Sequence, residues 1–334
     1  MIRWGIIGLG NMANNFAKSI KEIESCELKA VSSLNKDRLN EFSNKYQVDN
    51  KYKFNSYLEL INCDEIDAIY ISTLNNTHAN LIIDSISKNK NVLCEKPITI
   101  SRDELKRVVN KINNSDVSFL EAIAYRSHPL TKIIEEILKN TKIGKIRKII
   151  TNFGFDTKRI NPKSRLYNKS LGGGAILDIG CYPLSAINLI KNIINYKEKI
   201  TFKEVEGSVC ETGVDDYSLA HLKLGNDIKA VIEIGIRKKL KNQIHIITTD
   251  GEILIPEPWL PNKKTYIEAK MKNHYYKKFI NCKYSVYANQ IHFFNYMIKN
   301  KTKTPKSPYL SINDSQEIAE LSLEWRKKLH SIIK

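Results

Sequence analysis

The sequence contains no CxxC pair, and its six cysteines (Cys26, Cys63, Cys94, Cys181, Cys210 and Cys282) stand far apart. In a chain of 334 residues that spacing reads as reduced thiols filling a core, not as a disulfide framework. The seven histidines show no HxxxH or HExxH spacing, so no metal site is expected. No apolar run approaches the roughly 18 residues that a membrane span needs. The opening segment, Met1-Ile2-Arg3-Trp4-Gly5-Ile6-Ile7-Gly8, is too short and too broken by glycine for a signal peptide. Repeats, low-complexity tracts and flexible linkers are also missing. The expectation is a soluble, globular, cytoplasmic protein with no membrane partner.

Acidic residues are in short supply: 36 Asp+Glu against 53 Lys+Arg leaves a net charge of +17. Such a balance raises the question of nucleic acid. Only ten of those cations are Arg, however, and the lysines are spread along the chain, densest over 262–283. A nucleic-acid reader gathers Arg on one face or in one tail. No nucleic-acid partner is expected, while an anionic substrate stays open.

What is present is a rhythm. Strand-like runs at 2–7, 28–33, 66–72, 91–94 and 118–122 alternate with helical stretches, and Ser101 is placed to cap one of them. Near-continuous apolar strands alternating with helices imply a parallel sheet covered on both faces. After about residue 126 the order changes. A helix over 130–139 leads to a strand at 146–155, and a glycine-rich segment opens a helix reaching about 192. Strands at 201–210, 217–224, 228–236, 243–249 and 252–255 then follow without long helices between them. Turns such as Gly225-Asn226 and Asp250-Gly251 mark an antiparallel sheet. Helices over 286–299 and 313–333 close the chain. The expected class is α/β. A Rossmann-type, doubly wound parallel sheet occupies 1–124, and an α+β domain with a large, mostly antiparallel, open-faced sheet occupies 125–334.

Three motifs carry chemistry. Gly8-Leu9-Gly10-Asn11-Met12-Ala13 is a GxGxxA directly after the first strand. Gly8 suits the tight turn, Gly10 lets a pyrophosphate approach the backbone, and Ala13 lets the helix pack on the sheet. Dinucleotide binding follows, a plain strand–helix turn being the alternative. NAD sites usually place a carboxylate at the end of the second strand. Here Ser32-Ser33-Leu34 stands there, with Lys36 and Arg38 just beyond, so the reading leans to NADP over NAD. The alternative is that the two cations merely begin a solvated helix.

Cys94-Glu95-Lys96-Pro97 ends a strand on the side where open α/β sheets bind ligands. There a lysine can polarise a carbonyl or lower a neighbour's pKa, or simply be a surface lysine. The third motif is Leu171-Gly172-Gly173-Gly174-Ala175-Ile176-Leu177-Asp178-Ile179-Gly180-Cys181-Tyr182-Pro183. Glycine costs a helix about 1 kcal/mol per residue, so this segment makes sense where something approaches its backbone closely. On a helix Asp178 and Tyr182, at i and i+4, share a face. They are either pocket groups or a capping Asp and a core Tyr.

In this order and at these distances the motifs resemble the glucose–fructose oxidoreductase/inositol dehydrogenase (Gfo/Idh/MocA) family of NAD(P)-dependent oxidoreductases. Asn75-Asn76-Thr77-His78 and Glu121-Ala122 with Tyr125-Arg126 and Pro129 fit as well. The Asp-x-Gly-x-Tyr ending is similar to the dihydrodiol dehydrogenase and keto-sugar reductase branches. Inositol dehydrogenases usually have His where Tyr182 stands. Two departures exist: Leu34 replaces an Arg common among NADP users, and the lysine-rich stretch 262–283 matches no motif.

The resemblance implies cofactor contacts at Gly8, Gly10, Asn11, Met12, Ser33, Arg38, Thr73, Asn75, His78, Glu95 and Lys96. It implies hydride transfer between nicotinamide and a carbinol or carbonyl carbon of a sugar, a nucleotide-linked keto-sugar or a cyclic diol. Tyr182 would be the general acid/base and Lys96 the cation that lowers its pKa from about 10. The reverse assignment stays open. Asp178 would hold a substrate hydroxyl or the pair itself, with Lys96, Arg126, Arg165, Asp178 and Tyr182 as substrate contacts. A homodimer or homotetramer through the open sheet face is expected. The alternative function is a non-catalytic NAD(P) sensor of the same fold.

Overall fold

The computed structural model describes residues 1–139, 143–271 and 274–333. Lys272 and Asn273, inside the lysine-rich stretch, and Lys334, the end of the expected second domain, lie outside the described residues. Two compact units emerge.

The first is built on six parallel strands: β1 (Ile2–Ile7), β2 (Cys26–Ser32), β3 (Lys53–Phe54), β4 (Ala68–Ile71), β5 (Asn91–Cys94) and β6 (Phe119–Glu121). Their order is β3-β2-β1-β4-β5-β6, the doubly wound arrangement whose switch point lies between β1 and β4. Every residue of β4 and β6 is buried, as a sheet covered on both faces requires. The covering helices are α1 (Asn11–Ile20), α2 (Lys36–Tyr46), α3 (Tyr57–Ile61), α4 (His78–Ser87) and α5 (Arg102–Asn113). Asn35 caps α2 by accepting from the Arg38 N–H, and Ser101 caps α5 by accepting from the Glu104 N–H.

The second unit holds α6 (Leu130–Leu138), β7 (Ile146–Gly154), α7 (Cys181–Ile193) and seven further strands. These are β8 (Ile200–Val209), β9 (Asp215–Leu224), β10 (Ile228–Gly235), β11 (Gln243–Thr248), β12 (Gly251–Pro256), β13 (Lys264–Met271) and β14 (His274–Asn281). The order is β14-β13-β12-β11-β7-β10-β9-β8. The β7–β10 pair is parallel and the others are antiparallel. Strict alternation in β9 and β11 buries one face of this sheet, so the expected fold class is borne out. Strands β13 and β14 were not anticipated, because lysines interrupt the apolar pattern that announces a strand.

The last two helices are α8 (Val286–Lys299) and α9 (Ile312–Ile332). The contact division departs from a single break near residue 125: Tyr284–Lys306 and Leu310–Ser315 cluster with the first unit. The reason is a nonlocal aromatic core. Fully buried Trp4 packs edge-on to Phe16 at 5.1 Å and against Phe294 of α8 at 5.5 Å, and its indole N–H donates to Asn295 at 3.1 Å.

Among the described residues one helical run, Lys169–Ile193, is long and apolar enough to cross a bilayer, which corrects the expectation that no run comes near that length. Its apolar window is buried inside the second unit and serves as a core helix, while Lys169 and Ser170 at its start are exposed.

Candidate active site

In the first unit the expected cofactor residues gather at the carboxyl ends of the strands. Gly8 has φ +86°, and a Cβ there would lie 2.7 Å from Thr73 Cγ2 and 2.9 Å from the Ser72 carbonyl. Its N–H donates to Ser32 O at 3.0 Å and its carbonyl accepts from the Ser72 hydroxyl at 2.8 Å, which binds the ends of β1, β2 and β4 together. Gly10 caps α1, and nothing lies within 4 Å of where its Cβ would be. That open space beside a helix N-terminus with no acidic residue in its first turn suits a pyrophosphate. A cavity of about 610 Å³ begins there, lined by Leu9, Gly10, Asn11 and Arg38, with Lys18 and Lys45 opposed by Glu41. Met12 follows Asn11 in α1 and is half-buried; Ser33 is buried, with Oγ accepting the Asn35 N–H. These features fit a dinucleotide.

Thr73 shares a hydroxyl–hydroxyl bond of 2.6 Å with Thr77, and Asn75 is buried in the turn they form. His78 is 0% exposed, with Nδ1 2.9 Å from Pro97 O and Nε2 3.4 Å from Thr73 O. It spans two loops, its Nδ1 facing the Pro97 carbonyl and its Nε2 the Thr73 carbonyl. Glu95 is also buried and accepts the Tyr70 hydroxyl at 2.5 Å. Burial, with Glu95 adding to it, pushes the Tyr287 phenol up to about 12. Lys96, next in line, is half-exposed at the end of β5, and its peptide bond to Pro97 is cis.

Arg126 is 1% exposed and pairs with Asp314 at 3.8 Å within the same unit. Spacing alone does not report which way a side chain turns when both faces of its element are covered.

In the second unit the glycine segment meets close approaches, as its composition implied, and these come from the protein itself. A Cβ on Gly173 would lie 2.6 Å from the carbonyls of Arg165 and Leu166. Gly174 has φ +110°, and a Cβ there would lie 2.5 Å from Asp215 Oδ1. Asp215, 0% exposed at the start of β9, accepts the Ile176 N–H at 2.6 Å on its other oxygen. It caps the segment that presents Asp178, and sequence reasoning missed it. The Val214-Asp215-Asp216 start of an otherwise alternating strand was its only signal.

Ile176–Gly180 is a π-turn, which corrects the plain helix assumed for the i, i+4 argument. Such turns occur often at functional sites. Asp178 is buried and accepts from Arg165 at 3.0 Å, so two expected substrate contacts are joined to each other. Tyr182 is 8% exposed; its ring sits edge-on to Phe153 at 5.2 Å and to Trp259 at 6.2 Å. The Trp259 N–H is fixed on Asn152 O at 2.9 Å, making a rigid aromatic cage.

The first unit is a six-stranded dinucleotide-type fold with a lysine at the end of β5, and the second is a β-sheet unit. Residues 2–122 match the oxidoreductase family with an NAD-binding Rossmann fold, and residues 131–254 match the GFO/IDH/MocA C-terminal domain. The chain belongs to the GFO/IDH/MocA family and is an NAD(P)-dependent oxidoreductase acting on CH–OH groups. It is 30% identical to trans-1,2-dihydrobenzene-1,2-diol dehydrogenase of Xenopus laevis over 78% of this chain and 77% of the relative. The Mus musculus enzyme of that name is 28% identical over 98% of this chain and 97% of its own. Among solved structures, KijD10, a 3-ketoreductase from Actinomadura kijaniata with NADP and TDP-benzene, superposes with a TM-score of 0.84 at 21% identity. That superposition covers 99% of this chain and 97% of KijD10. Aldose-aldose oxidoreductase from Caulobacter crescentus gives 0.84 at 17%, over 98% of each chain. These last two likenesses show the fold.

Proposed function

We propose that the chain interconverts a carbinol and a carbonyl on a sugar, a nucleotide-linked keto-sugar or a cyclic diol, with Tyr182 and Lys96 as the proton-transfer pair. The observation that carries this reading is the half-exposed Lys96 at the end of β5, in a unit whose Gly8–Gly10 turn leaves room for the dinucleotide. When bound, the nicotinamide supplies or accepts the hydride. The chain's own residues move the proton: Tyr182 gives it to, or takes it from, the substrate oxygen. An ammonium favours the ionised form of a nearby phenol, which is the part assigned to Lys96. The Phe153–Trp259 cage holds the Tyr182 ring to one orientation. Asp178, fixed by Arg165, is assigned to a substrate hydroxyl.

NADP is the preferred cofactor in this reading. No carboxylate stands at 32–34, and the cavity by Gly10 is walled by Lys18, Arg38 and Lys45 against Glu41. The six cysteines form no disulfide among the described residues, which suits a reducing cytoplasm. The second unit's sheet presents Tyr217, Val231, His245 and Leu254 half-exposed on one face, which we assign to a homodimer or homotetramer contact. The test is a fluorescence titration of cofactor-stripped protein with NADH and NADPH, followed by turnover of a keto-sugar and trans-dihydrodiol panel. NADPH should bind more tightly and support turnover. Folded protein that binds neither cofactor overturns the reading.

A further inference from the structure

Glu121 ends β6, is 3% exposed, and belongs to no role assigned above. Its Oε1 accepts the Ile98 N–H at 2.8 Å, while its Oε2 has no hydrogen-bond partner among the described residues. The Ile98 N–H and the Pro97 carbonyl are two ends of one peptide group. The carbonyl end lies 2.9 Å from His78 Nδ1. A single peptide, one residue beyond Lys96, is therefore gripped from both sides by buried side chains of β6 and α4. A carbonyl oxygen only accepts, so the shorter contact, to Pro97 O, requires a proton on Nδ1 of His78; in that neutral tautomer Nε2, 3.4 Å from Thr73 O, makes no hydrogen bond there.

Glu121 poses the complementary case. A carboxylate taken out of water costs several kcal/mol unless a cation contacts it. The charged groups acting on it are Glu95 and Lys96 from the end of β5, and the Cys94 thiol stands close in the same strand. From the start of α9 the Ser315 hydroxyl lies alongside without completing a bond to Oε2. Burial, with Glu95 adding to it, pushes the carboxyl up to about 7. Oε1 can accept the Ile98 N–H in either protonation state, so the clamp's hydrogen bond does not itself require the proton, whereas burial favours the neutral acid.

We propose that Glu121, as a neutral carboxylic acid, and His78, as its Nδ1–H tautomer, are the positioning residues for Lys96, clamping the Pro97–Ile98 peptide and so fixing the direction in which the lysine leaves the strand. This rests on the reading that Lys96 takes part in proton transfer. Ionisation of Glu121 sets a second negative charge beside Glu95 and draws on the Lys96 ammonium, so the clamp and the electrostatics of the lysine change together.

The test uses the full chain. The pH profile of kcat/KM should show an inflection near 7 in the natural protein that is absent from Glu121→Gln. Glu121→Leu, which deletes the acceptor, should lower kcat about tenfold or more with dinucleotide affinity kept. Infrared difference spectra, needing no turnover, should show a protonated-carboxyl carbonyl band that disappears as pH rises through about 7 and is missing from Glu121→Gln. Absence of that band, or a Glu121→Gln profile that superposes on the natural one, overturns the proposal. Lys96→Met at full activity overturns instead the reading of Lys96, while the infrared result still reports the Glu121 proton.

Discussion

The two units present their chemistry by different means. In the first, the candidate positions fall at strand ends, where the fold itself supplies open backbone and a helix N-terminus. In the second, Asp178 and Tyr182 sit on a π-turn and the helix after it, held by Arg165 from just upstream and by Asp215, Phe153 and Trp259 from more distant parts of the chain. A site at strand ends needs few helpers, whereas a site on an irregular turn needs a built surround. Damage should therefore spread differently in the two units.

The largest contrast is between chemistry and binding. Tyr182→Phe and Lys96→Met should each lower turnover by about two orders of magnitude or more, with dinucleotide affinity retained. Steady-state kinetics alongside a binding titration check this.

Next comes the surround of the π-turn. Gly174→Ala forces a side chain into left-handed backbone and onto Asp215, and Asp215→Ala removes a buried cap. Each should cost about 2 kcal/mol. Thermal unfolding reads the loss, and dinucleotide affinity, housed in the first unit, should hold.

A third contrast is in the sign of the pH dependence. His128, buried in the second unit, accepts the Leu130 N–H on Nδ1 at 3.1 Å, and burial pushes it down from 6.5 to about 4. The unfolded chain takes up that proton first, so stability falls as pH drops from 6.5 towards 4. Glu121, raised from 4.5 to about 7, does the opposite: the unfolded chain releases its proton first, and stability falls as pH rises across that window. Denaturant melts of His128→Gln and Glu121→Gln against pH should flatten the acid and the alkaline decline respectively.

The smallest expected effect is on cofactor choice. Arg38→Ala should weaken NADPH about tenfold while leaving NADH nearly unchanged, as one lost charge-assisted contact would.

The same contrast explains what was legible. The turn at Gly8 could be read because left-handed backbone next to a strand leaves a glycine in the sequence, and the alternating strands of the second sheet announced themselves by period. The glycines at 172–174 signalled close approach, yet of the approaching groups the Asp215 carboxylate lies far along the chain and left no local mark. The internal partners of His78, Glu95 and Arg126 were not legible, since residue type and spacing do not report which buried groups a side chain meets. The π-turn was invisible because its sequence is apolar at every position except Asp178 and Gly180.

The most direct test of the central claim is a double-mutant cycle on turnover with Tyr182→Phe, Lys96→Met and both together, cofactor affinity being monitored throughout. Residues that serve one proton transfer act as a unit, so the double variant should be little slower than the slower single one. Losses that multiply, or a single variant that retains full turnover, would contradict it.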